Sequence, residues 1–141
     1  MKKIKWFGVL YAVFVVFMYV MGIYDLFMML GHNRAYYVAH GYGQNVMNYF
    51  TDYPIGLLVL WIVNLVCGVL SPILYAFKKK GCVKIAFLSF SADTLLIAIT
   101  CIFRNRIGVL GWNIFLFDLF ILLMTFGFGI LCRQTWKSNE R

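Results

Sequence analysis

Residues 54–77 read PIGLLVLWIVNLVCGVLSPILYAF, 24 residues without a charged side chain. The hydrocarbon core of a bilayer is about 30 Å thick, and a helix needs about 20 apolar residues to cross it. Three further runs, 6–30, 82–103 and 108–132, have a similar length and character. Their apolarity is continuous, which favours helices over barrel strands, because apolar residues alternate along such strands. The sequence therefore predicts an all-α chain: a single domain, 1–141, forming an antiparallel bundle of four transmembrane helices.

The composition supports the same class of protein. Of the 141 residues, 63% are hydrophobic and 13% are charged, whereas an ordinary soluble domain has about 25% charged residues. The net charge is +8. The basic residues stand mainly at the ends of the apolar runs and form no stripe with interleaved aromatic residues away from the bilayer. We therefore predict contact with a lipid bilayer and no binding of nucleic acid.

The distribution of basic residues predicts the orientation of the chain. Ten of them flank the ends of the runs where the chain begins, where the second run meets the third, and where the chain ends. Only three stand at the opposite side, so the positive-inside rule places both termini in the cytoplasm. The ten are Lys2, Lys3, Lys5, Lys78, Lys79, Lys80, Lys84, Arg133, Lys137 and Arg141, and the three are Arg34, Arg104 and Arg106.

The one long connection, 31–53, is unusually aromatic. Six large rings would be costly in water, so we expect this outer loop to fold against the headgroups or over the mouth of the bundle. A short interfacial helix is predicted around 45–50, with Gly41 and Gly43 forming the turn before it. The alternative is a disordered loop. The six rings belong to Tyr36, Tyr37, Tyr42, Tyr49, Phe50 and Tyr53.

Polar residues inside the runs are the candidate binding residues. Asp93 and Asp118 each fall about 15 Å into their run, and Asn64 is about as deep. An Asp at the centre of a spanning helix costs about 2.5 to 3.5 kcal/mol, so each needs an inward position and a partner. Ser89 and Thr125 share their helix faces with the two acids. These five residues predict a polar seam between the helices.

Two interpretations of the seam stay open. In the first, the acids only hold the helices together through interhelical hydrogen bonds. At least one of them is then protonated, because no basic residue is expected at their depth. In the second, the acids form a proton or cation site on a transport path, since acids inside a membrane often serve function.

A second polar group is predicted at the outer end of the bundle. Arg104 and Arg106 follow the third run, and Asp25 and Asp52 belong to the same layer. We expect these acids to be the partners of the two arginines, with Arg34 completing an outer network.

Motifs for catalysis and cofactor binding are missing from the sequence. The four cysteines show no Cys-x-x-Cys spacing, and His32 with His40 are too few for a metal site. No phosphate-binding glycine loop, nucleophile elbow or zinc-protease motif occurs. The sequence predicts no enzyme, no catalytic residue, no metal and no cofactor.

Several segments resemble a family of small bacterial four-span membrane proteins. The segments are Gly22-Ile-Tyr-Asp25, His32-Asn33-Arg34-Ala35-Tyr36, Asn48-Tyr49-Phe50, Leu60-Trp61, Asn64 to Gly68 and Phe103-Arg104. Members are loosely labelled sugar-transporter-like or DoxX-like. The resemblance implies the same bundle and a bacterial cytoplasmic (inner) membrane location. The sequence departs from the family pattern at Arg34, a position where members often carry an acidic residue.

Three functions are compatible with these features. The first is a transporter-like protein, working as a homodimer, that binds a small solute or a proton in its seam. The second is a structural or accessory protein that binds another membrane protein and performs neither transport nor catalysis. The third, ranked last, is a membrane enzyme acting on lipid or quinone near Arg104 and Arg106.

Overall fold

The computed structural model of the chain describes residues 6–139, and every regular element in that range is a helix. Four of these helices are long and apolar enough to cross a membrane: α1, α4, α5 and α7. The predicted all-α chain with four such helices is confirmed. The elements are α1 (Trp6–Leu30), α2 (Arg34–Ala39), α3 (Gln44–Tyr49), α4 (Ile55–Ala76), α5 (Cys82–Phe103), α6 (Arg106–Leu110) and α7 (Trp112–Asn139). Lys2, Lys3, Lys5 and Arg141, used above to predict orientation, lie outside the described residues.

The fourth long helix begins later than the sequence predicted. The short helix α6 ends just before Gly111, which has φ of +94°, and α7 starts at Trp112. Glycine adopts this backbone conformation easily, whereas other residues are strained in it. The chain turns at this glycine, so the apolar run 108–132 contains a corner and not one continuous helix. The prediction of one helix starting at 108 was wrong. Because a helix rises 1.5 Å per residue, Asp118 lies about 9 Å from the start of α7, not about 15 Å.

Close contacts join the long helices. Helix α4 packs along both α1 and α5, and α7 packs along α5 and α1. A methyl group at Gly22 would lie 2.8 Å from Leu65 Cδ2, and one at Gly127 would lie 2.6 Å from the Tyr11 hydroxyl. That hydroxyl donates a 2.7 Å hydrogen bond to the carbonyl oxygen of Met124. Small residues thus allow the approach of neighbouring helices that is typical of packing in lipid.

The aromatic connection covers one end of the bundle, which we call the tyrosine end and define by α2, α3 and α6. Asn33 caps α2 by accepting a 3.0 Å hydrogen bond from the Tyr36 N–H. Gly41, with φ of +70°, turns the chain towards α3. The short helix predicted around 45–50 is found at Gln44–Tyr49, and α2 was not predicted. The buried residues of this layer, which pack against Trp61 and Leu110, are Met29, Tyr37, Val46, Tyr49 and Phe50.

The opposite end, which we call the lysine end, brings together the start of α5 and the last turns of α7. Cys82 and Cys132 are fully buried there, and Trp136 Nε1 lies 3.1 Å from Cys82 Sγ. A shallow groove beside them is lined by four of the ten basic residues used to predict orientation: Lys80, Lys84, Arg133 and Lys137.

The outward faces of the long helices carry large apolar side chains. Phe7 and Phe17 of α1, Ile62 of α4, Leu95 of α5 and Leu123 of α7 are all exposed. A continuous apolar exterior of this kind marks contact with lipid or with another protein. It is consistent with the predicted contact with a bilayer.

Candidate functional site

A cavity of about 320 Å³ lies between the long helices and reaches the tyrosine end. Met18 and Leu65 line its deep part, whereas Tyr42 and Leu110 line the part near α2 and α6. All four charged side chains that line it come from different parts of the chain: Asp25, Asp93, Arg106 and Asp118. In a largely apolar bundle, this convergence makes the cavity the candidate functional site.

The deepest part of the site is a hydrogen-bonded group of neutral side chains. Ser89 Oγ lies 2.8 Å from both Asn64 Oδ1 and the Asn64 carbonyl oxygen, and 3.3 Å from the Tyr19 hydroxyl. The Thr125 hydroxyl donates to the Ile121 carbonyl oxygen at 2.8 Å, so the Tyr19 hydroxyl is the donor in its hydrogen bond to Thr125. Three residues of the predicted seam are thus brought together, and Tyr19 connects them.

Asp93 lies one helical turn after Ser89 on α5, on the side of this group that faces the tyrosine end. Its side chain is only 7% exposed and lines the cavity. Among the described residues, none makes a hydrogen bond or an ion pair with its carboxyl group. A buried carboxyl group without such a partner is costly, so it requires something from inside the cavity: a proton, water or a ligand.

Asp118 has a charged partner, contrary to the sequence-based expectation. Arg106 Nε lies 2.8 Å from Asp118 Oδ2, and Arg106 Nη2 lies 3.2 Å from Oδ1, a two-point ion pair. The prediction missed this pair because it placed Asp118 about 15 Å into its run, at a depth where no basic residue was expected. The later start of α7 brings this acid towards the tyrosine end, within reach of α6. Burial disfavours the charged form of Arg106, but the Asp118 carboxylate outweighs it and raises the pKa of Arg106 above its ordinary value.

Asp25 completes the set of acids in the cavity. It accepts a hydrogen bond from the Tyr36 hydroxyl. Burial and this bond to the Asp25 carboxylate together raise the pKa of Tyr36, so its hydroxyl stays protonated and can serve as a donor. The predicted pairing of Asp25 with Arg104 or Arg106 was wrong. Asp25 accepts a hydrogen bond from Tyr36 of α2, and Arg106 forms its ion pair with Asp118.

The other members of the predicted outer network lie apart from the cavity lining. Arg104 Nη2 donates a 2.8 Å hydrogen bond to the Tyr49 carbonyl oxygen, and its guanidinium carbon lies 4.5 Å from the Tyr49 ring centre. The same carbon lies 5.2 Å from the ring centre of Tyr53, a cation–π contact. Arg34 and Asp52 are exposed, and within residues 6–137 no ion pair joins either of them to another side chain. The expected partnership of Asp52 with an arginine was therefore wrong.

Aromatic residues of the site were not predicted as site residues. Tyr36, Tyr42, Tyr53 and Trp61 line the cavity, and His40 lies between two of them, with ring centres 4.2 Å from Tyr36 and 5.5 Å from Tyr42. The signal for them was the aromatic content of 31–53. In the seam, the signal for Tyr19 was a phenol in mid-helix, because a buried phenol hydroxyl usually needs a partner.

In the described part of the chain, no group of three or more His, Cys, Asp or Glu side chains is arranged to hold a metal ion. Comparison with protein-family models, with curated proteins and with solved structures gave no match to the chain. The resemblance to the four-span family stays a prediction.

Proposed function

We propose that this chain is a multi-pass membrane protein of transporter-like character whose cavity binds a small solute or a proton. The proposal includes an antiparallel arrangement of the four long helices. It also includes a bacterial inner-membrane location, with the lysine end in the cytoplasm and the tyrosine end on the outer side. The groove of Lys80, Lys84, Arg133 and Lys137 supports this orientation, since basic residues accumulate on the cytoplasmic side.

The observation that carries the proposal is the burial of Asp93 without a bonded partner among the described residues. Its carboxyl group is buried and faces a cavity, while no described side chain bonds to it. The alternative interpretation, in which the acids only join helices by hydrogen bonds, predicts the opposite. An acid with that role has its oxygens bonded to polar groups of the neighbouring helices. Ser89 bonds to Asn64, and both Ser89 and Thr125 bond to Tyr19, so these side chains leave Asp93 for a ligand or a proton.

Native mass spectrometry of the protein purified in its own lipid tests this proposal. We expect a small molecule to stay bound to the unmodified chain, and Asp93→Asn to lose it while keeping its fold. Asp52→Asn is the matched control, because it makes the same chemical change on an exposed acid outside the cavity. The native mass also tests the proposed homodimer, which is suggested by the small volume that four helices enclose.

Two results would contradict parts of this proposal. The first is a fixed protein partner with no retained small molecule, which would identify an accessory protein. The second is equal retention by Asp93→Asn and the unmodified chain, which would remove this acid from the site.

A further inference from the structure

The charges that line the cavity do not cancel. Arg106 and Asp118 neutralise each other through their two-point ion pair. Asp25 and Asp93 have no basic side chain paired with them in the described residues. His40 Nδ1 lies 2.9 Å from the Tyr36 carbonyl oxygen and must donate there, so its bond is made to the backbone and not to either acid. The cavity therefore has more acidic side chains than basic ones.

The walls of the cavity suit a cation with an apolar body. Tyr36, Tyr42, Tyr53 and Trp61 are part of the lining, and the faces of such rings attract ammonium groups. Methionine, leucine and isoleucine side chains fill much of the remaining wall. Ca²⁺ and Mg²⁺, by contrast, take about six or more oxygen ligands, and the described residues contain no group of three or more His, Cys, Asp or Glu side chains that could hold a metal ion.

The size of the cavity limits the ligand. At about 320 Å³ it is at the lower end of the range of about 300 to 1,000 Å³ for small-molecule sites. A compact ammonium compound fits these dimensions better than a lipid or a large cofactor.

We propose that the cavity binds a small organic monocation, with its ammonium group held by Asp93 and by the faces of the aromatic rings in the wall. This inference rests on the proposed function and adds the chemical class of the ligand. Asp93 is the anchor because it has no protein partner, whereas Asp25 already accepts a hydrogen bond from Tyr36.

Titration calorimetry with choline as the probe, on the protein in nanodiscs of neutral lipid, tests this inference. The matched comparison ligand is 3,3-dimethylbutan-1-ol, which has the shape of choline but a carbon atom in place of the charged nitrogen. We expect choline to bind at least about tenfold more tightly, because the attraction between a desolvated ammonium group and aromatic faces contributes about 2 kcal/mol. This comparison uses the unmodified chain and does not depend on a variant that folds.

Variants identify the groups that hold the cation. Asp93→Asn is expected to weaken choline binding by about 10- to 100-fold, because it removes the opposite charge beside a buried cation, and to leave binding of the alcohol unchanged. Tyr42→Leu should weaken choline binding several-fold, whereas Tyr42→Phe, which keeps the ring, should restore it. Asp52→Asn, outside the cavity, should bind choline like the unmodified chain.

Equal binding of choline and its neutral analogue would overturn the assignment of a cation. So would the absence of choline binding together with a neutral or anionic molecule found in the native protein, and the solute-binding function would then still stand. If the native protein retains no small molecule and binds neither probe, both the solute-binding function and the assignment of a cation fail.

Discussion

Arg106 of α6 and Asp118 of α7 form a two-point ion pair, with Nε 2.8 Å from Oδ2, across the corner at Gly111. Both side chains are largely buried, being 15% and 12% exposed. Breaking a pair of this kind lowers folding stability strongly, because removal of one partner leaves the other charge buried and uncompensated.

Arg106→Met is expected to lower the free energy of unfolding by about 3 to 5 kcal/mol, since Asp118 would lose its partner. Adding Asp118→Leu to this variant should recover most of the loss, because no unpaired charge then remains. Unfolding in lipid nanodiscs, followed by circular dichroism, measures both effects. Arg34→Met is the control: this arginine is exposed at the same end, and its loss should change stability by less than about 0.5 kcal/mol. A double variant as unstable as Arg106→Met would contradict the explanation.

Gly68→Ala is expected to destabilise the bundle by about 1 to 3 kcal/mol, because the added methyl group would overlap the Tyr19 ring. The displaced ring would also weaken the hydrogen bond from Tyr19 to Thr125. Gly56→Ala on the same helix is the matched control. Nothing lies within 4 Å of a methyl group there, so the better helix propensity of alanine should leave stability unchanged or raised. Thermal unfolding compares the two, and equal midpoints would show that the close approach of α1 and α4 is unimportant.

Tyr36→Phe removes the hydroxyl that donates to Asp25 and keeps the ring that lines the cavity. We expect a loss of about 1.5 to 3 kcal/mol in stability, because the bond is made to a carboxylate. Tyr24→Phe is the control, since Tyr24 touches Tyr36 ring to ring at 5.7 Å and is half exposed. Equal stability of the two variants would indicate that Asp25 does not depend on Tyr36.

Labelling of one introduced cysteine at a time, in intact cells, tests the proposed orientation. Asp52→Cys at the tyrosine end should react with a membrane-impermeant maleimide, whereas Lys79→Cys should react only after the cells are opened. Cys67, Cys82 and Cys132 are buried and should contribute little background, and Cys101→Ser removes the partly exposed one. The reverse labelling pattern would invert the topology, and labelling of both positions from outside would contradict a crossing of the membrane by α4, the long helix between them.

The long helices were predictable because the bilayer fixes how many apolar residues a crossing needs. The short helix α3 was predictable from its amphipathic aromatic pattern and the glycines before it. The corner at Gly111 was not, because apolar residues stand on both sides of it and hydropathy carries no information on φ.

The membership of the site was predictable only in part. Asn64, Ser89 and Thr125 could be grouped from helical spacing, since residues on one face of a helix point the same way. The partner of Asp118 depended on where α7 starts, a displacement of four residues that the sequence did not reveal. Tyr36 and Tyr42 reach the cavity through the fold of 31–53, which is set by contacts between distant residues and not by local pattern.

The single glycine between α6 and α7 also limits which insertions and deletions this region of the gene can accept. Each residue added to or removed from a helical segment rotates the remainder of the helix by about 100°, because a turn holds 3.6 residues. A deletion at Gly111 would therefore swing Asp118 away from Arg106, and every later residue of α7 would face a different neighbour.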